Sequence, residues 1–454
     1  MPVSLRQVAF PEFDVPVETP SIPEVEYIER NRALLELAGT DWVAIYGDRE
    51  HNASLLFLTG FDPRFEEAML LLGPEGRRYL LVGNEGIIHA QVAGLPVEVI
   101  LYQPFSLMSQ PRGDSPILTD LLAGIGLASS ATVGLVGWKY FEDGEDEVES
   151  VQTPAYVPAF LTRIIDQVTG TASEDVTHVL MNPVNGLRTV VSAAEIARLE
   201  WGAARASAAV LRVVRNARPG MTEHEAIGAM GYQGEPMSCH PILASSDWTL
   251  NGLRSPSARK LAQGDAITCG IGYWGGLSCR AGLLSDAVDE EFVMSYVRPY
   301  FSAIAAWWTS LAIGLPGGEL FAAVMEAIGD APFAPMLNPG HLTSYDEWVH
   351  SPIFEDSDDT ISSGMVLQCD IIPVPMPPGR ALNCEDTVAI ADEALRAEIA
   401  LYYPELWARI EARRAFMRGN LGLELRPEVL PLSYAPTYLP PFWLAPELVC
   451  VMEA

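Results

Sequence analysis

GDAITCGIGYWGGLSCRAGLL, residues 264–284, decides how this chain is read. Two short apolar runs flank the Gly-rich turn around Trp274-Gly275-Gly276, the signature of a β-hairpin. Hairpins of this kind often carry carboxylates that hold metal ions. Here no carboxylate occurs between Asp265 and Asp286, and the one charged side chain in that interval is Arg280.

Working outward, the 454-residue chain is long enough for two or three domains and a large core. Apolar residues make up 49% and charged residues 19%, the composition of an ordinary globular protein and not of a disordered one. Lys and Arg number 28 against 59 Asp and Glu, for a net charge of −31. Such a surface repels phosphate backbones, so a nucleic-acid partner is not expected. The N-terminal stretch MPVSLRQVAFPEFDVPVETPSIP lacks a basic-flanked apolar core, so no signal peptide is read and a cytoplasmic location is expected. The longest uncharged stretch, Tyr300 to Leu315, is short for a membrane span and reads as a buried helix. The six cysteines form no CxxC pair and are expected as free thiols.

Residues 1–185 alternate strand-like runs (WVAIY, AMLLL, YLLV, VEVIL, TVGLVG) with helical stretches such as Val25 to Leu37, which suits an α/β domain with a mixed sheet. The acidic stretch Phe141 to Pro154 reads as a solvated insertion. A second domain, 186–430, opens on Ser192-Ala-Ala-Glu195, a capping box that starts a helix. In that helix Ile196, Leu199, Ala203, Ala206, Val210 and Val213 recur on one face. Thr222 and Glu225 form a second box. Strand pairs follow near 264–285 and 365–391, with helices near 299–315, 319–329 and 396–418. The Pro- and aromatic-rich stretch 431–454 reads as a tail lying extended on another surface.

Several segments together resemble the pita-bread proteins creatinase, prolidase and aminopeptidase P: YGDREHNASLLFLTGFDPRFEEAMLLL, VSAAEIARLEWGA, RPGMTEHE, GDAITCGIGYWGG, NPGH, SGMVLQCDIIP and NCEDTVAIAD. They fall in that family's order along most of the chain. The resemblance implies an α/β creatinase-like N-terminal domain followed by a pita-bread catalytic domain. The family's metallopeptidases hold two metal ions with two Asp, one His and two Glu, because closely spaced cations need anionic oxygen ligands. On that pattern Gly270 stands at the first Asp, Arg280 or alternatively Cys279 at the second, His341 at the His, Asp370 at the first Glu and Glu385 at the second. Two carboxylates are missing, so neither a metal nor another cofactor is expected. Cys269, Cys369 and Cys384 each directly precede a site position and, by strand alternation, should face away from it.

The same resemblance implies His341, Asp370 and Glu385 as the catalytic group, with Arg280 as a fixed cation beside the two carboxylates. His350 stands nine residues after His341, one position beyond the family's substrate-contacting His, and His240 precedes the hairpin. Creatinase's catalytic His would fall at Leu253, with Arg254 beside it, so that base is absent. Arg64 occupies the place of an Arg that creatinase-like dimers extend into the partner's site. Arg64, Arg254 and Arg280 suit a small anionic or zwitterionic substrate. The expected activity is metal-independent hydrolysis of a C–N bond in a small carboxylate-bearing amino-acid derivative, by a homodimer with no membrane partner. A divalent-metal Xaa-Pro peptidase and a non-catalytic binding protein are the alternatives.

Overall fold

The computed structural model describes residues 2–142, 155–248, 250 and 252–453. Most of the acidic stretch Phe141 to Pro154 thus lies outside the described residues. Two compact units form: Ile22–Arg188, and Thr189–Ala454 together with Met1–Ser21. No helix among the described residues is long and apolar enough to cross a membrane.

β1 (Val3–Gln7) belongs to the larger unit. The smaller unit is built on β2 (Trp42–Gly47), β3 (Ala68–Leu72), β4 (Arg78–Val82), β5 (Glu98–Leu101), β6 (Val133–Val136) and β7 (Glu174–Asp175), in the spatial order β5-β4-β3-β2-β6-β7. The pairs β2/β3 and β3/β4 are antiparallel and the others parallel, so the sheet is mixed. The central strands β2 and β3 are buried along their whole length, as their unbroken apolar runs dictate.

The larger unit carries β8 (Met237–Ser246), β9 (Ala266–Tyr273), β10 (Gly276–Leu283), β11 (Ala334–Pro335), β12 (His341–Leu342), β13 (Val366–Cys369), β14 (Pro373–Val374), β15 (Asn383–Ile390), β16 (Val429–Pro431) and β17 (Leu448–Met452). Its main sheet runs β12-β13-β15-β10-β9-β8, with β16 also on β15, and every pairing is antiparallel. β11 pairs with β14, and β1 pairs with β17.

The helix Ala193–Asn216 starts where Ser192 Oγ accepts the N–H of Glu195 at 3.2 Å, and its six periodic apolar residues are all buried. The hairpin tip sits directly on this helix. A Cβ at Gly202 would stand 1.5 Å from Trp274 O, and one at Gly275 would stand 2.1 Å from Leu199 O. Gly275 also takes φ +97°, so glycine is required there twice over.

Two differences from the sequence reading have plain causes. Pro404 splits the last helix into Glu393–Tyr402 and Pro404–Leu421, because its ring and missing N–H cannot continue a helix. The stretch read as a tail is core: Leu432, Tyr434, Tyr438, Leu439, Phe442 and Trp443 are buried, and β17 locks onto β1.

Gly202→Ala should destabilise the protein by at least about 1–3 kcal/mol, the scale of overpacking. Gly419, in a helix with nothing within 4 Å of its missing Cβ, is the control. Gly419→Ala should be neutral or stabilising by up to about 1 kcal/mol. Urea denaturation of the two variants checks both.

Candidate active site

Register sets the site. Ile242 pairs with Gly270, Gly270 with Cys279, and Cys279 with Glu385, forming one row across four strands. Cys369 pairs with Asp386, which brings Asp370, one step on, opposite Glu385. Residues in one row share a face, and those two apart along a strand share it too. His341 pairs with Gln368, two residues before Asp370, and so joins the same face. Thr268, Asn383, Cys239 and Thr387 follow by the same rule.

Asp370 and Glu385 thus face each other across the strand pair, and both side chains are buried. Burial and mutual repulsion push Asp370 well above the usual carboxylate range. Burial, with Glu347 nearby, pushes Glu385 up to about 7, opposed by Asn383 and His341. Two buried neighbouring carboxyls cannot both ionise cheaply, so the pair holds on to protons that exposed carboxyls would lose. Asn383 Nδ2 donates to Glu385 Oε1 at 2.6 Å. Asp370 Oδ1 is buried with no hydrogen-bond partner among the described residues.

His341 is fully buried and stacks on Trp348, with ring centroids 4.1 Å apart. Its Nδ1 donates to Leu342 O at 3.1 Å, leaving Nε2 as the basic ring atom. Nε2 lies 3.2 Å from Glu347 Oε1, too poorly aligned for a hydrogen bond. Sequence reasoning missed Glu347. The signal was a carboxylate in Ser344-Tyr-Asp-Glu-Trp348, between His341 and the His350 that bridges back to Leu342.

Cys279, not Arg280, takes the second Asp position, which corrects the placement of Arg280. Arg280 pairs with Cys269 and Cys384, on the reverse face of the sheet. There its guanidinium meets Asp386 Oδ2 at 2.8 Å and donates to the carbonyls of Ala435, Tyr438, Cys279 and Glu385. Thr437 N–H donates to the same Asp386 oxygen at 2.8 Å. Arg280 thus anchors the C-terminal segment and is spent on that task.

The other expected binding residues are placed as follows. Arg254 donates to buried Glu223 at 2.7 Å, in a network with Ser245 and Ser257. His240 is exposed, in a stretch where β8 bulges between its pairings at Cys239 and Ile242. His350 is half-buried, and its Nδ1 accepts from Ser351 N–H at 2.8 Å. Arg64, in the smaller unit, is exposed at a left-handed φ of 64° and held by Asp62.

The donors present do not fit a metal pair. Gly270 offers none. Burial and the charge of Glu385 push the Cys279 thiol far up and keep it neutral, and it contacts Thr268 Oγ1 and Asn383 Nδ2 at 3.6 Å each. Among the described residues, no group of three or more His, Cys, Asp and Glu is placed to hold a metal ion.

No protein-family model and no curated protein matches the sequence. Solved structures do match: the mixed α/β fold is that of the pita-bread prolidase and aminopeptidase P structures. The chain is similar to a prolidase from Thermococcus sibiricus (TM-score 0.63, 16% identity, covering 82% of this chain and 96% of that one). An Xaa-Pro dipeptidase from Bacillus anthracis gives TM-score 0.60 at 17% identity, over 82% and 96%. An X-Pro aminopeptidase from Thermotoga maritima gives 0.61 at 19%, over 81% and 95%.

The raised proton affinity of Glu385 has a stability consequence. A carboxyl whose folded pKa lies above its unfolded value contributes stability that is full below the unfolded value and is lost as pH rises through the folded one. The window runs from the ordinary Glu value of 4.5 to about 7. Thermal midpoints measured across it should fall with rising pH in the wild type, and fall less in Glu385→Gln.

Proposed function

We propose that this protein is a hydrolase that cleaves a C–N bond in a small amino-acid derivative without a metal pair. The observation that carries this reading is the buried pair Asp370–Glu385 on one face with His341, in a row where Gly270 and Cys279 stand in place of two carboxylates. His341 Nε2 takes a proton from the attacking water as its oxygen bonds the carbon. The C–N electrons leave on nitrogen, which receives the proton held by Asp370. General acid and base are then separate groups on one face of the sheet.

The substrate's nitrogen end suits this site, because Glu347, Asp370 and Glu385 surround it and the Arg280 guanidinium is on the other face. A cationic or donor-rich nitrogen would satisfy the orphaned Asp370 Oδ1. A zwitterion therefore fits better than a purely anionic compound. Its carboxylate would find a partner in Arg64 of a second copy, and the homodimer is proposed on that ground: Arg64 is exposed and conformationally fixed by Asp62.

A divalent-metal Xaa-Pro peptidase has the fold's likeness in its favour and would have to make do with His341, Asp370 and Glu385. A non-catalytic protein would keep the pocket and lose nothing when His341 is removed.

One experiment separates the three. With a library of amino-acid amides, ureido and guanidino acids and Xaa-Pro dipeptides, wild type in chelator should retain hydrolysis, and His341→Ala should lower turnover by about a hundredfold or more. Activity that appears only with added Mn, Co or Zn supports the peptidase. No turnover of any compound supports the binding protein.

A further inference from the structure

We propose that Ile242 closes this site to a metal pair, by filling the volume that the first carboxylate would need. The inference rests on the metal-free reading above and adds a cause for it. Ile242 is the direct partner of Gly270 in β8. A Cβ at Gly270 would lie 3.1 Å from both Cδ1 and Cγ1 of Ile242, and 3.3 Å from Ser278 O. Those distances are already tight for a methyl group, and a carboxylate reaches further. Ile242 is 5% exposed and β-branched, so its χ1 is restricted and its buried side chain has little room to move away from a carboxylate.

Gly270 is therefore a packed position, not an empty cradle. The neighbouring position is closed as well. Cys279 is 3% exposed and lies between Thr268 and Asn383, while Asn383 occupies Glu385 Oε1 from the same side. The sheet has been repacked as a row of uncharged groups up to the Glu385–Asp370 pair. Putting the two carboxylates back is then not enough to recover a metal site. The side chain across from the first must also shrink.

The test is calorimetric titration of the full-length protein with MnCl2 and with ZnCl2. Four proteins are compared: wild type, Gly270→Asp/Cys279→Asp, and that pair combined with Ile242→Ala or with Ile242→Val, each checked for folding by thermal melting. The Ile242→Ala combination should bind a divalent ion at least about tenfold more tightly than the carboxylate pair alone, with a metal-dependent rise in Tm. Equal affinity in the two, or a folded Ile242→Ala combination that binds neither ion, would overturn the role of Ile242. If that combination does not fold, the Ile242→Val one is read instead: tighter binding than the pair supports the role, and equal binding overturns it. Stoichiometric binding by wild type is a different failure, because it sinks the metal-free reading itself.

Discussion

The alternation of side chains across β9, β10 and β15 is the constraint on which everything else in the larger unit depends. The turn at Trp274-Gly275 pairs Tyr273 with Gly276, and that pairing carries down the hairpin to put Gly270 opposite Cys279 and Cys269 opposite Arg280. A slip of one residue would exchange the two faces completely. Gly202 and Gly275 pin the turn against the helix Ala193–Asn216, so the register is held from outside the sheet as well.

The two faces do different work. One gathers His341, Asp370, Glu385 and Asn383, and its polar groups are left partly unsatisfied: among the described residues Asp370 Oδ1 and His341 Nε2 have no hydrogen-bond partner. The other pairs its charges with each other, although Asp386 Oδ1 also has no hydrogen-bond partner among the described residues. Arg280 and Asp386 are both buried, and between them they fix the backbone of Ala435, Thr437 and Tyr438. A buried ion pair of this kind is weak evidence for stability, but removing one partner strands the other charge. The C-terminal segment that reads as a tail is held in the core by this pair.

Much of this was legible in the sequence. The mixed α/β first unit, the capped helix at Ser192 and the free, buried thiols Cys269, Cys369 and Cys384 followed from pattern and alternation. The positions of Gly270, His341, Asp370 and Glu385 came from motif spacing. The sequence leaves the turn length open by one residue, so Arg280 and Cys279 compete for the second Asp position; the turn through Trp274-Gly275, with Gly276 as the first residue of β10, decides for Cys279. Glu347 was missed because it lies on a connection between β12 and β13, where no periodicity marks which side chains turn inward. The inclusion of β1 in the larger unit was invisible for another reason: it depends on a pairing between the two ends of the chain.

A double-mutant cycle on Arg280 and Asp386 tests the facing of the sheet most directly. If Arg280 lies on the reverse face against Asp386, Arg280→Met and Asp386→Leu should each destabilise by about 3–5 kcal/mol, and the double variant should lose far less than their sum. Additive losses, or an Arg280→Met variant as stable as wild type, would contradict it. The guanidinium would then belong with the carboxyls of Asp370 and Glu385.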